Sequence, residues 1–211
     1  MLFRSVIIEA MGELAEYRDP ETGSHIHRTR AYVELLAETL VDQGHFRDKL
    51  TPEYIVLLRK SAPLHDIGKV ASRDSILLKP GKLTPEEFEE MKMHTLFGEE
   101  VISNLEQMAG QPTSFLSCAK EIAGSHHEKY DGSGYPRGLA GDAIPVAGRI
   151  MAIADVYDAL ISKRVYKNSM SHDEAMKIML EGTGAHFDPI LIDAFLKVEP
   201  VFSQIAASNV D

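Results

Sequence analysis

The sequence predicts an all-α protein built as a single helical bundle. Apolar residues recur with the 3.6-residue period of an amphipathic helix along almost the whole chain. Several of these stretches begin at a Thr-Pro, Asp-Pro or serine signal that is typical of a helix start. No segment shows the strict alternation of a half-buried strand, and we find no fixed-period repeat or low-complexity tract.

The N-terminal segment is predicted to form an amphipathic helix at 2–17. We interpret residues 1–18 as a connector helix that precedes the main domain at 19–207. A chain that begins inside an amphipathic helix is typical of a fragment of a longer protein.

Helix-start signals divide the main domain into its elements. Asp-Pro at 19–20 and Thr-Pro-Glu at 51–53 are typical of an N-cap followed by proline. The Thr-x-x-Glu pattern at 84–87 is a capping box, and the glycine-rich stretch at 129–142 is predicted to be a loop. Helices are predicted at about 21–41, from 52 towards His65, at 85–93, 95–108 and 113–127, from 145 to 161, from 172 to 181, and from 189 onward.

Length and composition exclude several classes of protein. The chain has 211 residues, of which 44% are hydrophobic, enough for one domain with a substantial core. No apolar run reaches the roughly 18 residues that cross a bilayer, so we expect no membrane segment and no signal peptide. The single cysteine, Cys118, has no partner for an internal disulfide, which is typical of a reducing, cytoplasmic location.

The net charge restricts the partners that we expect. The chain carries 22 Lys and Arg against 32 Asp and Glu, a formal charge of −10. An acidic chain is poorly suited to polymeric nucleic acid, because binding to the phosphate backbone relies on Lys and Arg. The same charge repels a small phosphate compound unless local positive charge reverses its sign.

Five histidines and three carboxylates occur in patterned positions that indicate a metal centre. Glu21 and His25 are four residues apart, which on a helix places both side chains on one face. An ionised carboxylate in the apolar run around Asp155 is costly unless it is paired or bound to metal. The candidate metal ligands are Glu21, His25, His65, Asp66, His94, His126, His127 and Asp155.

Imidazole nitrogen and carboxylate oxygen suit iron, manganese, zinc or nickel. Eight ligands exceed the six positions of one octahedral ion, so their full use requires at least two ions. Two ions about 3.5–4 Å apart are the usual arrangement for in-line phosphoryl displacement. A single His-Asp or His-His pair would mean little, and Asp155 alone would be read as a salt-bridging carboxylate. Their joint occurrence favours metal, whereas four further histidines are interpreted as structural: His27, His45, His172 and His186.

Six segments of the chain together resemble the HD-GYP family: RDPETGSHIHR, HDIGKV, KPGKLTPEEFEEMKMHT, HHEKYDGSGYPRGL, IADVYDALISKRVYK and GAHFDP. Members of this family are bacterial phosphodiesterases of the HD superfamily that degrade the second messenger cyclic di-GMP. The resemblance extends from about Arg18 to about Phe195, and HDIGK combined with HHExxDGxGYP is highly specific. It implies an HD-superfamily helical bundle with additional HD-GYP helices and two or three divalent metal ions, with iron or manganese the first choice.

The resemblance also implies roles for individual residues. All eight candidate ligands match metal positions of the family, and Glu21 is the ligand that favours a third ion. Lys69 is expected to face the scissile phosphate, and Arg164 and Lys167 to contact the substrate phosphates. Without the resemblance, the latter two would be read as a solvated basic turn. Asp158 lies three residues after Asp155 on the same helix face, and it is expected to support a metal ligand from outside the ligand set or to orient Arg164.

The expected reaction is hydrolysis of cyclic di-GMP to pGpG, and in some family members onward to GMP. Asp66 is expected to bridge two metal ions, and a hydroxide shared by these ions would attack phosphorus in line with the leaving 3′ oxygen. Lys69 would stabilise charge on the phosphoryl oxygens, which makes these two residues the catalytic candidates. Tyr135, in the glycine-rich loop, would either bind substrate by stacking on a base or pack the loop.

Two alternative functions remain open on the sequence alone. One is an enzyme specific for the mixed guanine–adenine cyclic dinucleotide, on which some family members act. The other is a cyclic-dinucleotide receptor or interaction scaffold with little turnover, which a degraded metal motif would favour. The partners that the resemblance implies are the cyclic dinucleotide, an upstream receiver or sensor domain, and either a second copy of the chain or a diguanylate cyclase domain. Bound divalent ions would supply the local positive charge that an acidic chain lacks.

Overall fold

The computed structural model describes residues 24–108, 110–111, 113–162 and 169–208. These residues contain nine α-helices, three short 3₁₀ segments and two isolated β-bridges, so the predicted all-α class is confirmed. The predicted connector helix, Glu21, Arg164 and Lys167 lie outside the described residues. The helices are α1 Ser24–Asp42, α2 Pro52–Ser61, α3 Asp74–Leu77, α4 Pro85–Lys92, α5 His94–Met108, α6 Ser114–Ser125, α7 Val146–Ile161, α8 His172–Glu181 and α9 Pro189–Ser208.

Helix α7 lies in the middle of the bundle and contacts α1, α6, α8 and α9. Twelve of its 16 residues are buried, which explains why its sequence is apolar on all sides. Aromatic side chains of α1, α7 and α9 pack together around it. Tyr32 stacks on Phe202 with ring centroids 4.3 Å apart, and Tyr157 meets both rings edge-on.

A second, smaller apolar cluster forms between α5, α6 and the chain that follows α2. Leu64 and Ile67 pack there with Ile102, Ala119 and Ala123. Because Leu64 and Ile67 flank the His65-Asp66 pair, this cluster fixes the position of that pair against α5 and α6. The buried Cys118 lies in the main core, among aliphatic side chains.

Most helix ends follow the local signals, but α3 was not predicted, and two predicted helices end earlier than expected: α6 at Ser125 and α2 at Ser61. Thr84 and Glu87 form the predicted capping box at the start of α4. The helix predicted to run from 52 towards His65 ends at Ser61 and continues as a 3₁₀ segment, Ala62–Leu64. Pro63 accounts for this change, because proline has no N–H for the helical hydrogen bond and clashes with the preceding turn. A second 3₁₀ segment, Ile67–Ala71, follows the His65-Asp66 pair.

No helix within the described ranges is both long and apolar enough to cross a bilayer.

A buried ion pair joins α7 to the start of α9. Arg149 donates to Asp188 Oδ2 at 2.6 Å, and both side chains are almost completely buried. Asp188 also accepts from the Ile190 amide at 2.8 Å through its other oxygen, as the carboxylate of an N-cap residue does. Arg149 has a second carboxylate partner, Asp142, which lies in solvent. Asp188 therefore combines charge pairing with helix capping.

We predict that Asp188→Ala lowers the free energy of unfolding by about 3–5 kcal/mol, because it leaves a buried guanidinium without its buried partner. Asp188→Asn keeps the capping oxygen, so its free energy of unfolding should fall by less than that of Asp188→Ala. Urea denaturation followed by circular dichroism measures both. Asp142→Ala is the matched control and should cost less than about 1 kcal/mol, since that carboxylate is exposed. A loss below 1 kcal/mol for Asp188→Ala would contradict the prediction.

Candidate functional site

Seven of the eight candidate ligands lie together in two groups, and the eighth, Glu21, lies outside the described residues. Within each group, every residue offers one ligand atom within 4.8 Å of the others. We call them the Asp66 group and the His25 group after one member of each. The Asp66 group is Asp66, His94, His126 and His127, and the His25 group is His25, His65 and Asp155.

These side chains come from five separate parts of the chain. His25 is in the first turn of α1, and Asp155 is in α7. The His65-Asp66 pair lies between the two 3₁₀ segments, at the point where α2 has ended. His94 begins α5, and the His126-His127 pair directly follows α6. Each ligand therefore lies at or near the end of a packed element, except Asp155.

Asp66 occupies the junction of the two groups. Its Oδ1 lies 3.2 Å from His94 Nε2 and 3.6 Å from His126 Nε2, both in its own group. Its Oδ2 lies 3.2 Å from Nε2 of His65, a member of the His25 group, and 2.7 Å from Lys69 Nζ. The two carboxylate oxygens thus face different groups.

The second group is built on Asp155. Its Oδ1 lies 3.8 Å from His25 Nε2 and 4.0 Å from His65 Nε2. These separations are too long for hydrogen bonds. They leave the two ring nitrogens and the carboxylate oxygen directed towards a common point.

Four of the histidine rings are oriented through Nδ1. Three face main-chain carbonyl oxygens of the preceding turn, at 2.9 Å for His65, 2.7 Å for His94 and 3.0 Å for His126. The fourth, His25, faces Asp158 Oδ2 at 2.8 Å. An imidazole that donates through Nδ1 presents the lone pair of Nε2, so each ring is set to bind metal through Nε2.

Several buried atoms in the Asp66 group have no hydrogen-bond partner among the described residues: His94 Nε2, His126 Nε2 and Asp66 Oδ1. Leaving a buried polar atom unpaired costs about 1–3 kcal/mol, so such atoms usually mark a strained or ligand-binding position. Here three of them converge, as the donors of a metal site do.

The protonation states also suit a metal. Burial lowers the pKa of His126, and it holds the pKa of His127 well below the usual range. Burial alone would raise the pKa of Asp66, but Lys69 and His65 outweigh it and hold that pKa well below its usual range. Neutral imidazole and ionised carboxylate are the forms that bind metal. The residues present therefore fit divalent metal ions with nitrogen and oxygen ligands.

Gly68 allows Asp66 to approach His94. A Cβ atom at Gly68 would lie 1.9 Å from the His94 carbonyl oxygen and 2.4 Å from the Gly98 amide nitrogen. Both neighbours are main-chain atoms, so they cannot move aside as a flexible side chain would. The glycine of HDIGK thus lets the 3₁₀ segment lie directly against α5.

Asp158 supports a candidate metal ligand, in line with the first of the two expectations from the sequence, and that ligand is His25. It accepts from His25 Nδ1 and, at 2.7 Å, from the Nε of Arg28. Burial raises the pKa of Asp158, but the hydrogen bonds from His25 and Arg28 outweigh it and lower the pKa. The expected partner Arg164 lies outside the described residues.

Two residues of the site were missed by the sequence reasoning. Arg28 binds Asp158 through two nitrogens, and its position three residues after His25 on a buried helix face was the available signal. Glu128 is 2% exposed and accepts from the Arg137 and Leu139 amides. Glu128 thus binds the loop, and the available signal was a carboxylate between a histidine pair and a glycine-rich segment.

The four histidines interpreted as structural belong to neither metal group in the described part of the chain. His172 hydrogen-bonds the Tyr157 hydroxyl at 2.8 Å and pairs with Glu199. His186 stacks on Phe187 with centroids 4.3 Å apart, and burial lowers its pKa to about 4.

Tyr135 lies beside the Asp66 group. Its ring centroid is 4.7 Å from that of His127, with 30° between the two planes. The Lys92 ammonium lies 5.6 Å from the Tyr135 centroid, and the Phe88 ring meets Tyr135 edge-on. Among the other predicted substrate-binding residues, Lys69 has its Nζ 2.7 Å from Asp66 Oδ2. Arg164 and Lys167 lie outside the described residues.

Comparison with known proteins gives consistent matches. A family model described as HD domain matches residues 9–191. A Vibrio cholerae protein named "Cyclic di-GMP phosphodiesterase" is 57% identical over 204 residues, which are 97% of this chain and 41% of that protein. A second Vibrio cholerae protein, named "Probable cyclic di-GMP phosphodiesterase", is 54% identical over 208 residues, 99% of this chain and 47% of that protein. The chain thus spans less than half the length of these two relatives.

A solved structure of an HDG"Y"P protein from Bdellovibrio bacteriovorus superimposes with a TM-score of 0.57. The match has 21% sequence identity and covers 90% of this chain and 61% of the other. At this identity the likeness supports the fold alone, and the fold agrees with the helical bundle described above.

We predict that Asp158→Asn weakens metal binding about 10- to 100-fold at the His25 group, because the amide cannot hold the His25 ring as the carboxylate does. Titration of the metal-stripped chain with Mn²⁺ by isothermal calorimetry measures the change. Asp173→Asn, an exposed position on α8, is the control and should leave the affinity unchanged. An Asp158→Asn protein that is folded and binds Mn²⁺ within twofold of the wild type would contradict the prediction.

Proposed function

Because this chain belongs to the HD-domain family and carries the HDIGK and HHExxDGxGYP motifs of its HD-GYP members, we propose that it is a metal-dependent phosphodiesterase that hydrolyses cyclic di-GMP to pGpG. The observation that carries the proposal is the position of Asp66. One ionised carboxylate faces two groups of histidines and a lysine ammonium. Such an arrangement suits two cations next to a phosphate group.

The metal centre uses the ligands of both groups. The residues of the Asp66 group would hold one divalent ion and those of the His25 group another, and Glu21 is the ligand that would admit a third ion. Iron or manganese is the first choice, because the ligands are imidazoles and carboxylates without thiolate. Divalent ions supply Lewis acidity, which activates water and polarises a phosphodiester.

Lys69 supports the reaction as a cation at the edge of the centre. Its side chain is 14% exposed, and its Nζ lies 2.7 Å from Asp66 Oδ2. A compact ammonium at this position stabilises negative charge on the phosphoryl oxygens as the bond to the 3′ oxygen breaks. Arg164 and Lys167 are proposed to bind the substrate phosphates.

The choice of substrate is supported by the relatives. The proteins at 54% and 57% identity are both named for cyclic di-GMP. Since those relatives are more than twice as long as the matched region, we propose that a receiver or sensor domain regulates this domain in the whole protein. A second copy of the chain or a diguanylate cyclase domain is the further proposed partner.

We predict that His65→Ala combined with Asp66→Ala abolishes more than about 90% of turnover, because the pair contributes ligands to both groups. The assay is anaerobic hydrolysis of cyclic di-GMP by Mn²⁺- or Fe²⁺-loaded protein, with products separated by chromatography. His45→Ala, which lies in neither metal group, is the control. Full activity in the double variant would refute the proposal. Parallel assays with the mixed guanine–adenine cyclic dinucleotide identify the substrate, and faster turnover of that compound would reassign it.

Lys69→Met separates charge stabilisation from metal binding. We predict that it lowers kcat by about 10²–10³-fold, the usual effect of removing one donor to a developing oxyanion. Its bound metal at neutral pH should match that of the wild type, because Lys69 is not a ligand and bound divalent ions would themselves keep Asp66 ionised. Lys82→Met, an exposed lysine, should be neutral. Metal loss from Lys69→Met, or unchanged kcat, would show that Lys69 does not have this role.

A further inference from the structure

His127 is held differently from the other four histidines of the site. In the described ranges, no hydrogen bond to its imidazole ring is found. Instead, its ring contacts other rings. His126 lies 4.0 Å away between centroids, His94 lies 5.1 Å away, and Tyr135 lies 4.7 Å away with the two planes 30° apart. Tyr135 is the member of this set that is not itself a candidate ligand.

The glycine-rich loop is attached to the residues that follow α6 through Glu128. The two carboxylate oxygens of Glu128 accept from the Arg137 amide at 2.7 Å and the Leu139 amide at 3.0 Å. The Tyr135 amide donates to the His127 carbonyl oxygen at 3.2 Å. Three hydrogen bonds therefore fix the loop to His127 and to Glu128, the residue after it.

Close packing and a side-chain contact complete this attachment. A Cβ atom at Gly134 would lie 2.2 Å from the Lys129 amide nitrogen, so glycine is required at this close approach. The Arg137 side chain donates to the Gly124 carbonyl oxygen at 3.1 Å and also pairs with Glu99. The loop is thus held from both α5 and α6.

The Tyr135 ring is also contacted by α4. Phe88 meets it edge-on at 6.2 Å between centroids, and the Lys92 ammonium lies 5.6 Å from its centroid. A ring enclosed by His127, Phe88 and Lys92 has little freedom to move. A fixed aromatic ring next to His127 favours a packing role over a platform for a base.

We propose that Tyr135 and Glu128 are positioning residues for His127. Tyr135 orients the His127 ring through the contact between the two rings, and Glu128 holds the loop that carries Tyr135. Tyr135 thereby replaces the hydrogen bond at Nδ1 that orients the other four rings. This inference rests on the metal centre of the proposed function.

The test is a double-mutant cycle between Tyr135 and His127. Mn²⁺ is titrated into the metal-stripped chain, and its affinity is measured by calorimetry for the wild type, Tyr135→Ala, His127→Ala and the double variant. We expect Tyr135→Ala to weaken Mn²⁺ binding about tenfold, as loss of an outer contact to a ligand does. In the His127→Ala background it should have no further effect, since the contact it supports is already gone.

Two further variants control for the ring and for the loop. Tyr135→Phe keeps the aromatic ring and should bind Mn²⁺ within twofold of the wild type. Phe88→Ala removes one of the contacts that hold Tyr135 but keeps the Tyr135 ring, so it should weaken Mn²⁺ binding by less than Tyr135→Ala does. If Tyr135→Ala does not fold, Glu128→Gln takes its place in the cycle, because it weakens the loop attachment and keeps every ring. It should weaken Mn²⁺ binding in the His127 background and have no effect in the His127→Ala background.

The remaining outcomes overturn the inference. Tyr135→Ala with unchanged Mn²⁺ affinity and a raised KM for cyclic di-GMP would assign Tyr135 to base stacking. Equal weakening in both backgrounds would show that its effect does not pass through His127. Failure of the wild type to bind Mn²⁺ would overturn the proposed function and this inference together, and it is recognised from the wild type alone.

Discussion

The site depends on keeping one carboxylate ionised in a place that water barely reaches. Asp66 is 7% exposed, and desolvation by itself would favour its protonated form. The Lys69 ammonium at 2.7 Å and the surrounding rings reverse that preference. They can do so only because Gly68 lets the backbone after Asp66 lie against α5. Electrostatics and main-chain packing therefore support each other at this residue.

Helix α7 shows how polar chemistry is accommodated within an apolar bundle. It is mostly buried, yet it carries Arg149, Asp155 and Asp158. Arg149 and Asp158 are paired with buried groups of opposite charge, Asp188 and Arg28. Asp155 instead faces the ring nitrogens of the His25 group. A charged group inside the bundle is thus either neutralised by a partner or directed at the metal site, as the cost of burying an isolated charge requires.

Local signals predicted the helices and the glycine-rich loop well, because capping, proline and glycine preferences act over a few residues. The capping box at Thr84 and the loop after His127 are examples. Contacts between residues far apart in the sequence were harder to predict. The pairing of Arg28 with Asp158 spans 130 positions, and no local pattern specifies which of several carboxylates an arginine will meet. The sequence accordingly suggested that Asp158 supports a ligand, but it did not identify His25 or Arg28 as the partners. The role of Glu128 depends on how the loop folds back, which the spacing of glycines does not determine.

The orientation of the ligand rings has a consequence for sequence change. His65, His94 and His126 are aligned by main-chain carbonyl oxygens, which every amino acid provides. No substitution at the accepting position removes its carbonyl oxygen. The hydrogen bonds that orient these three rings therefore persist whichever residue occupies that position. His25 relies on a side-chain carboxylate and His127 on a neighbouring ring. Sequence changes among related chains can therefore alter the orientation of the His25 and His127 rings, while the other three ligand rings keep the same orientation.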